Sequence, residues 1–170
     1  MVNVPIEALS EFRIFNGVPR EKLKLIADLI HIEYIDLDAV IIEDGTTGNT
    51  LYLLLEGEVE ISKHLVLKVS KWSVGQKTKT LNRFRAEHKL VFGEIALLDE
   101  DSKRSATVIA TTPCTLGVIL IKEFLKLTED EIEIGYHIFK NMAAQLGVQL
   151  VKANEDVLNL TTALSFALQP

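Results

Sequence analysis

The spacing of apolar residues divides the chain into a helical start, a β-rich middle and a helical end. Between residues 5 and 30, apolar positions recur at intervals of three and four, which predicts short amphipathic helices with a break at residues 17–19, G-V-P. From His31 the period falls to two, the spacing of a half-buried strand. Helical spacing returns after residue 121. The pattern therefore predicts a mainly β domain with helices at both ends.

The middle of the chain alternates strand-forming runs with turn sequences. Residues 43–49, E-D-G-T-T-G-N, are rich in turn formers. Apolar runs at 51–55 and 59–61 flank Gly57, which predicts a strand that bends at a glycine and continues, as a rolled sheet requires. Two further β-rich runs follow, at residues 106–110 and 115–121. We expect an antiparallel β-roll or jelly roll, the double-stranded β-helix that cupins also have.

The C-terminal part predicts a short helix containing Phe124 and Leu127, followed by a long one. T-E-D-E at residues 128–131 matches a capping box, so we expect the long helix to begin there. Along it, apolar or small residues alternate at spacings of four and three: Phe139, Ala143, Leu146, Leu150, Ala153, Val157, Leu160 and Leu164. Such a heptad seam favours a homodimer through a two-helix coiled coil. In the alternative, the stripe packs on the β-roll of its own chain.

Composition limits the class of protein. A length of 170 residues with 48% hydrophobic content suits one packed domain. No run of about 20 apolar residues is present, and the first residues resemble no secretory signal, so we expect a cytoplasmic protein without a membrane segment. Cys114 is the single cysteine, which excludes an internal disulfide. The histidines His31, His64, His88 and His137 lack metal-binding spacing, so we expect no metal site and no cofactor.

Charge is distributed unevenly. Residues 63–89 carry eight Lys or Arg residues against Glu87 alone, a local charge of +7 within a chain of net charge −6. This segment is expected either to attract an anionic partner, subunit or ligand, or to form a solvated hairpin face.

Residues 91–108, V-F-G-E-I-A-L-L-D-E-D-S-K-R-S-A-T-V, combine features of a site for a small anion. Gly93 lets the backbone approach a ligand, and a helical turn at residues 94–98 would present free N–H groups. Arg104 offers a guanidinium that matches phosphate oxygens, and Ser105 adds a hydroxyl donor. Glu94 only accepts, so it needs a donor such as a ribose hydroxyl. The alternative is a surface turn followed by a strand with an exposed arginine.

This stretch resembles the phosphate-binding cassette of cyclic nucleotide-binding domains, and its loop length is similar to the bacterial catabolite activator branch. The matching positions are Phe92, Gly93, Glu94, Ile95, Ala96, Leu97, Arg104, Ser105, Ala106, Thr107 and Val108. The resemblance implies that Glu94 holds the ribose 2′-hydroxyl and that Arg104 and Ser105 hold the cyclic phosphate. Phe92, Gly93, Ile95, Ala96, Leu97 and Ala106 complete the implied binding site. Residues 43–61, E-D-G-x-x-G-x-x-L-Y-x-L-x-x-G-x-V-x-I, also resemble this family.

The sequence departs from the family pattern between residues 61 and 92, where the hairpin is longer. Lys89 and Asp38 occupy positions where the family usually has glycine, which affects the expected shape of the pocket mouth and the base that it accepts. The candidate base contacts are Ile61, Phe84 and Gln149. Phe84 or Arg83 is expected either to stack on a purine or to pack as a strand residue.

The resemblance implies three parts: an N-terminal helical cap at 1–30, a β-roll at 31–121, and C-terminal helices at 122–166 that form a lid and dimer seam. The implied function is a sensor without catalytic residues that binds cyclic AMP or cyclic GMP and signals to a partner protein. Ser105 in place of threonine favours cyclic AMP. Ten residues follow Leu160, so we expect no DNA-binding domain. The alternative is a dimeric interaction module that binds no nucleotide, or another small anion.

Overall fold

The structure is a computed structural model that describes residues 4–70, 73–98 and 103–168, with side chains described throughout except at 64–70 and 73–81. The N-terminal part forms helix α1 (Ile6–Ser10), a 3₁₀ turn (Arg13–Phe15) and helix α2 (Arg20–Ala27). The chain turns at Gly17, whose φ of 85° lies in the left-handed region. The predicted helical start, with its break at residues 17–19, is confirmed.

The described residues form eight strands in two four-stranded sheets. Their bounds are β1 (His31–Ile35), β2 (Val40–Ile42), β3 (Thr50–Glu56), β4 (Glu58–Ser70), β5 (Ser73–Arg85), β6 (Val91–Phe92), β7 (Thr107–Ala110) and β8 (Cys114–Leu120). The strand order is β1-β8-β3-β6 in the first sheet and β2-β7-β4-β5 in the second, and the pairs are antiparallel. The expected β-roll is therefore confirmed.

Gly57 lies where the chain passes from the first sheet to the second. Its φ is 89°, and a Cβ placed there would lie 2.5 Å from the carbonyl oxygen of Pro113 and 2.7 Å from Cys114 Sγ. Both the backbone angle and the close approach therefore require glycine. The bend predicted between β3 and β4 is confirmed, and it carries β4 into the opposite sheet.

Asp38 and Lys89, the two residues at expected glycine positions, both adopt positive φ angles of 65° and 49°. Both residues thus keep the left-handed backbone conformation that glycine adopts readily, although a side chain makes that conformation energetically unfavourable. Lys89 Nζ lies 2.8 Å from Glu11 Oε2 and 5.9 Å from the centroid of the Phe12 ring. These contacts tie the segment before β6 to the N-terminal helices.

Two hydrophobic clusters hold the domain together. One fills the roll between the sheets and includes Leu54, Val59 and Leu116. The other joins the first sheet to the helices, and its largest fully buried side chains are Phe12, Phe15, Phe124, Leu9, Leu23, Ile26, Leu51, Leu53, Ile119 and Ile134. Each such side chain contributes roughly 1.5–3 kcal/mol by burial. The second cluster therefore couples the N-terminal helices to the C-terminal ones.

The C-terminal helices are α3 (Ile121–Asp130) and α4 (Ile132–Ala167). The predicted capping box at residues 128–131 is wrong, because Thr128 is buried inside α3 and its hydroxyl donates to the Leu125 carbonyl at 2.8 Å. Gly135 lets the two helices approach at this corner, since an added Cβ would lie 2.7 Å from the Thr128 carbonyl oxygen. The Glu131 carboxylate pairs instead with Lys22 of α2, at 2.8 Å.

Helix α4 packs on the body only through its first part. Ile134, Ile138 and Met142 are buried, and Asn141 Nδ2 donates to the carbonyls of Ile14 and Asn16 at 3.0 and 2.7 Å. From residue 147 to 168 every side chain is exposed. The alternative, in which the apolar stripe packs on the β-roll of its own chain, does not hold for most of the stripe. The buried face of α4 is formed by Ile134, Ile138 and Met142, and Leu146 is the one stripe residue in the described helix that is even part-buried. A dimer seam formed by the stripe stays a prediction. No helix in the described ranges is long and apolar enough to cross a membrane.

Candidate ligand-binding site

A cavity of about 280 Å³ lies between the second sheet, the segment after β6 and helix α4. One wall is formed by residues 94–96 of the 3₁₀ turn Glu94–Leu97 and by residues 103–106. Apolar side chains of the roll form the second wall: Ile42, Ile61, Phe84, Leu90 and Val108. Gln145 and Gln149 of α4 form the third. The cavity is thus polar at the cassette, apolar along the sheet and lined by amides at the helix.

The structure brings most of the predicted site residues together around this cavity. The lining residues among them are Phe92, Gly93, Glu94, Ile95, Ala96, Arg104, Ser105 and Ala106. Leu97 does not line it and belongs to the core next to the helices. The predicted base contacts Ile61, Phe84 and Gln149 also line the cavity. Their roles toward a ligand stay predictions.

Gly93 shapes the turn that faces the cavity. Its φ of 82° places it in the left-handed region just before the 3₁₀ turn. A Cβ placed there would lie 2.6 Å from Arg104 Nη1 and 2.8 Å from the carbonyl oxygen of Thr50. Glycine therefore meets two needs, the backbone angle and the close approach of the arginine. The predicted helical turn after Gly93 is confirmed.

Arg104 is only 7% exposed, so the alternative of an exposed surface arginine is wrong. Nη1 donates to the Gly93 carbonyl at 3.0 Å, and Nη2 donates to the carbonyl and hydroxyl oxygens of Thr50 at 2.8 and 3.2 Å. Among the described residues, no carboxylate lies within ion-pair distance of it. Burial lowers the pKa of the guanidinium from its ordinary value, while the Tyr52 phenolate, when ionised, and the Glu94 carboxylate raise it. Arginine still stays protonated at neutral pH, so the site holds a buried positive charge.

Glu94 lies at the first position of the turn and is half-buried. Burial raises the pKa of its carboxyl group above the ordinary value, while a backbone hydrogen bond and the positive charge of Arg104 act in the opposite direction. A desolvated carboxylate gains from a hydrogen-bond donor. The pair Arg104 and Glu94 can thus receive a ligand that carries an anion and a hydroxyl group.

The helix wall contains a residue that sequence analysis missed. Gln145 lines the cavity together with Gln149, four residues later on the same face of α4. The i, i+4 spacing from the predicted Gln149 could have identified it. Two more lining residues were missed: Ile42, which lies just before the E-D-G motif, and Lys103, which lies in the variable loop before Arg104. An amide both donates and accepts, so this wall can pair with the edge of a base.

Phe84 and Arg83, the two predicted stacking residues, separate in the structure. Phe84 lines the cavity and contacts the His88 ring edge-to-face, with centroids 6.0 Å apart. Arg83 does not line it, and its Nε lies 2.9 Å from Glu60 on the neighbouring strand. Arg83 therefore matches the strand-residue alternative, whereas stacking of Phe84 on a base stays a prediction.

The basic segment at 63–89 is a hairpin whose backbone pairs β4 with β5, from Glu58 opposite Arg85 to Ser70 opposite Ser73. Arg85 Nε lies 2.8 Å from Glu58, so this cation pairs with a carboxylate across the strands. The side chains of Lys68, Lys71, Lys77 and Lys79 lie outside the described residues. The described end of the hairpin matches the solvated-face alternative, and attraction of an anionic partner stays a prediction.

The comparison with known proteins agrees with this geometry. Residues 33–131, more than half of the chain, match the family model of the cyclic nucleotide-binding domain. The chain belongs to the cyclic nucleotide-binding domain family. This result confirms the resemblance that the cassette and the E-D-G-x-x-G motif indicated.

Relatives within this family include kinases and transcription regulators. Human cGMP-dependent protein kinase 2 is 29% identical over 125 residues, which are 74% of this chain and 15% of the kinase. The cAMP-activated global transcriptional regulator CRP of Haemophilus influenzae is 32% identical over 130 residues, 76% of this chain and 52% of the regulator. The match thus spans about half or less of these relatives.

A solved structure supports the fold. The catabolite activator protein of Thermus thermophilus superimposes with a TM-score of 0.72 at 24% identity, over 88% of this chain and 63% of that chain.

Proposed function

We propose that this chain is a non-catalytic sensor that binds a cyclic nucleotide, cyclic AMP in preference to cyclic GMP, in the cavity between cassette and α4. The observation that carries the proposal is Arg104, a buried cation without a carboxylate partner among the described residues. Burying an uncompensated charge is costly, and an anionic ligand offsets that cost. Because Glu94 lines the same cavity and its carboxylate only accepts, an anion that also carries a donor such as a hydroxyl group fits the site.

Each part of a cyclic nucleotide has a matching group in the cavity. Arg104 and Ser105 would hold the cyclic phosphate, next to the backbone of the turn after Gly93. Glu94 would accept a hydrogen bond from the ribose 2′-hydroxyl. The base would lie along the apolar wall, with Phe84 as its stacking partner.

The preference for adenine rests on the amides of α4. A glutamine amide can accept from the adenine N6 amino group and donate to N7 at once, whereas the same edge of guanine offers acceptors only. Gln145 and Gln149 are the polar side chains that α4 brings to the cavity. Ser105 agrees with this preference. Names of the relatives include both cAMP and cGMP, so both nucleotides belong in the test.

The proposed output is a change in α4. The helix lines the cavity with Gln145 and Gln149 and exposes its apolar seam farther along. A ligand that moves the cavity end of α4 would therefore also move the seam. The exposed seam fits a second copy of this chain, with a coiled coil offering its outer surface to a partner protein. A ligand shifts this equilibrium only by its difference in affinity for the two helix positions.

Thermal unfolding with cyclic AMP, cyclic GMP and 5′-AMP tests the proposal. Ligand at one hundred times its dissociation constant adds about 2.7 kcal/mol of stability. For a domain of this size that is a shift of roughly 5–10 °C. We expect the largest shift with cyclic AMP and none with 5′-AMP. No shift with any of them, after copurified nucleotide has been removed, would refute the sensor and leave the exposed seam as evidence for the dimeric interaction module.

A further inference from the structure

The loop at residues 43–50 contacts Arg104 along its main chain. The Arg104 N–H donates to the Thr46 carbonyl at 2.8 Å, and the Gly45 N–H donates to the Arg104 carbonyl at 2.9 Å. Next to this pair, Thr47 and Lys103 form an antiparallel bridge. The E-D-G-T-T-G-N motif therefore fixes the backbone from which the arginine side chain projects.

The same loop also holds the far end of the side chain. Nη2 donates to both oxygens of Thr50, while Nη1 donates to the Gly93 carbonyl on the opposite side. The guanidinium is thus held between two chain segments more than forty residues apart. Its orientation, and not only its charge, is set by these oxygens.

Gly48 leaves the space in which the guanidinium lies. A Cβ placed on Gly48 would lie 2.5 Å from both Nε and Nη2 of Arg104 and 2.8 Å from Cζ. Its φ is not in the left-handed region, unlike that of Gly45, so the backbone angle does not require glycine. The requirement at Gly48 is space for the arginine.

We infer that Gly48 is a positioning residue for Arg104: it keeps open the slot that aims the guanidinium at the anion in the cavity. The inference rests on the proposed function. A methyl group at Gly48 would displace the guanidinium, because the end of a flexible side chain yields more easily than the surrounding backbone. The expected loss is therefore in ligand affinity, with little loss of fold stability.

A double-mutant cycle tests this inference. Cyclic AMP affinity is measured by calorimetry for the wild type, Gly48→Ala, Arg104→Ala and the double variant. We expect Gly48→Ala to weaken binding about tenfold or more, the range of a lost charge-assisted hydrogen bond. In the Arg104→Ala background the same change should alter affinity by less than about twofold, since no guanidinium remains to be displaced. Gly147→Ala is the matched control, because an added Cβ there meets nothing within 4 Å.

A spectroscopic measurement separates this inference from the proposed function. The Nε–H resonance of Arg104, assigned by its absence in Arg104→Ala, should shift in Gly48→Ala and stay in place in Gly147→Ala, without any ligand. An unchanged resonance, wild-type affinity in Gly48→Ala, or an equal loss in both backgrounds would overturn the inference. A shifted resonance together with no binding by the wild type would support the positioning role and refute the proposed function instead.

Discussion

Replacing Arg104 by alanine removes the buried cation on which the proposed site depends. The variant loses three hydrogen bonds, two to backbone carbonyls and one to the Thr50 hydroxyl. It also removes a charge that has no carboxylate partner among the described residues. Losing the hydrogen bonds lowers the free energy of unfolding, whereas removing the buried charge raises it. For an anionic ligand there is no such compensation, because the variant loses both the positive charge and the oriented N–H donors of the guanidinium.

The magnitudes separate binding from stability. A charge-assisted hydrogen bond to a ligand contributes about 1.5–3 kcal/mol, so cyclic AMP affinity should fall roughly 10- to 150-fold. For the fold, each lost bond to the charged guanidinium costs about 1.5–3 kcal/mol, and release of the desolvated charge offsets much of this loss. We therefore expect the free energy of unfolding to fall by less than about 4.5 kcal/mol, the lower limit for three such bonds without the offset.

Calorimetric titration gives the affinity, and urea unfolding followed by circular dichroism gives the stability. Arg83→Ala is the matched control, since it removes a guanidinium that pairs with Glu60 and does not line the cavity. It should bind cyclic AMP as the wild type does. Equal affinity in Arg104→Ala and Arg83→Ala would refute the assignment of the phosphate site.

Three further changes test other parts of the structure. For Glu94, burial raises the pKa of the carboxyl group in the folded state, so the folded state binds this proton more tightly than the unfolded state. The free energy of unfolding therefore falls as the pH rises from about 4.3, the ordinary pKa of glutamate, through the raised pKa of the folded state. Glu94→Gln should lack that fall, gaining stability relative to the wild type as pH increases while binding nucleotide more weakly; parallel urea-unfolding curves against pH would contradict this. Leu160 is 70% exposed on the seam, so Leu160→Asp should weaken self-association in sedimentation experiments, whereas Val148→Asp, equally exposed but off the seam, should not. Lys89→Gly relieves a left-handed residue by about 1–2 kcal/mol. It loses a partly exposed ion pair with Glu11 worth about 0–1 kcal/mol and a cation–π contact with Phe12 worth about 0.5–1 kcal/mol, so chemical denaturation should show a change of less than about 1.5 kcal/mol.

Features encoded within a few neighbouring residues were predictable from the sequence. The left-handed Gly93, the turn after it and the bend at Gly57 follow from glycine in apolar surroundings. The strand and helix order follows from the change in apolar period. For these features, local backbone preference and tertiary packing favour the same conformation.

Features that depend on contacts between distant segments were not predictable. That Arg104 is buried follows from the pairing of residues 103–107 with the loop before β3, which no local pattern reports. Gln145 joins the site only because α4 crosses the cavity. The predicted capping box at residues 128–131 was wrong for the same reason, a contact between distant residues. The local T-E-D-E pattern favours a helix start at Thr128, but burial of that residue against Gly135 extends α3 instead.

The packing of the cassette explains why the proposed sensor needs ligand contacts at both ends of the cavity. Ala96 and Leu97 of the turn share one buried cluster with Ile134 and Ile138 of α4, so the proposed phosphate site and the N-terminal part of the helix pack on the same core. Reversing a two-state population from 1:99 to 99:1 needs about 5.5 kcal/mol of differential binding. A single charge-assisted hydrogen bond gives about 1.5–3 kcal/mol. One such bond therefore cannot supply the difference, and contacts that are equally strong in both helix positions contribute nothing to it. For the proposed sensor we expect the amides of α4 to add a contact that forms only when the helix lies over the nucleotide base.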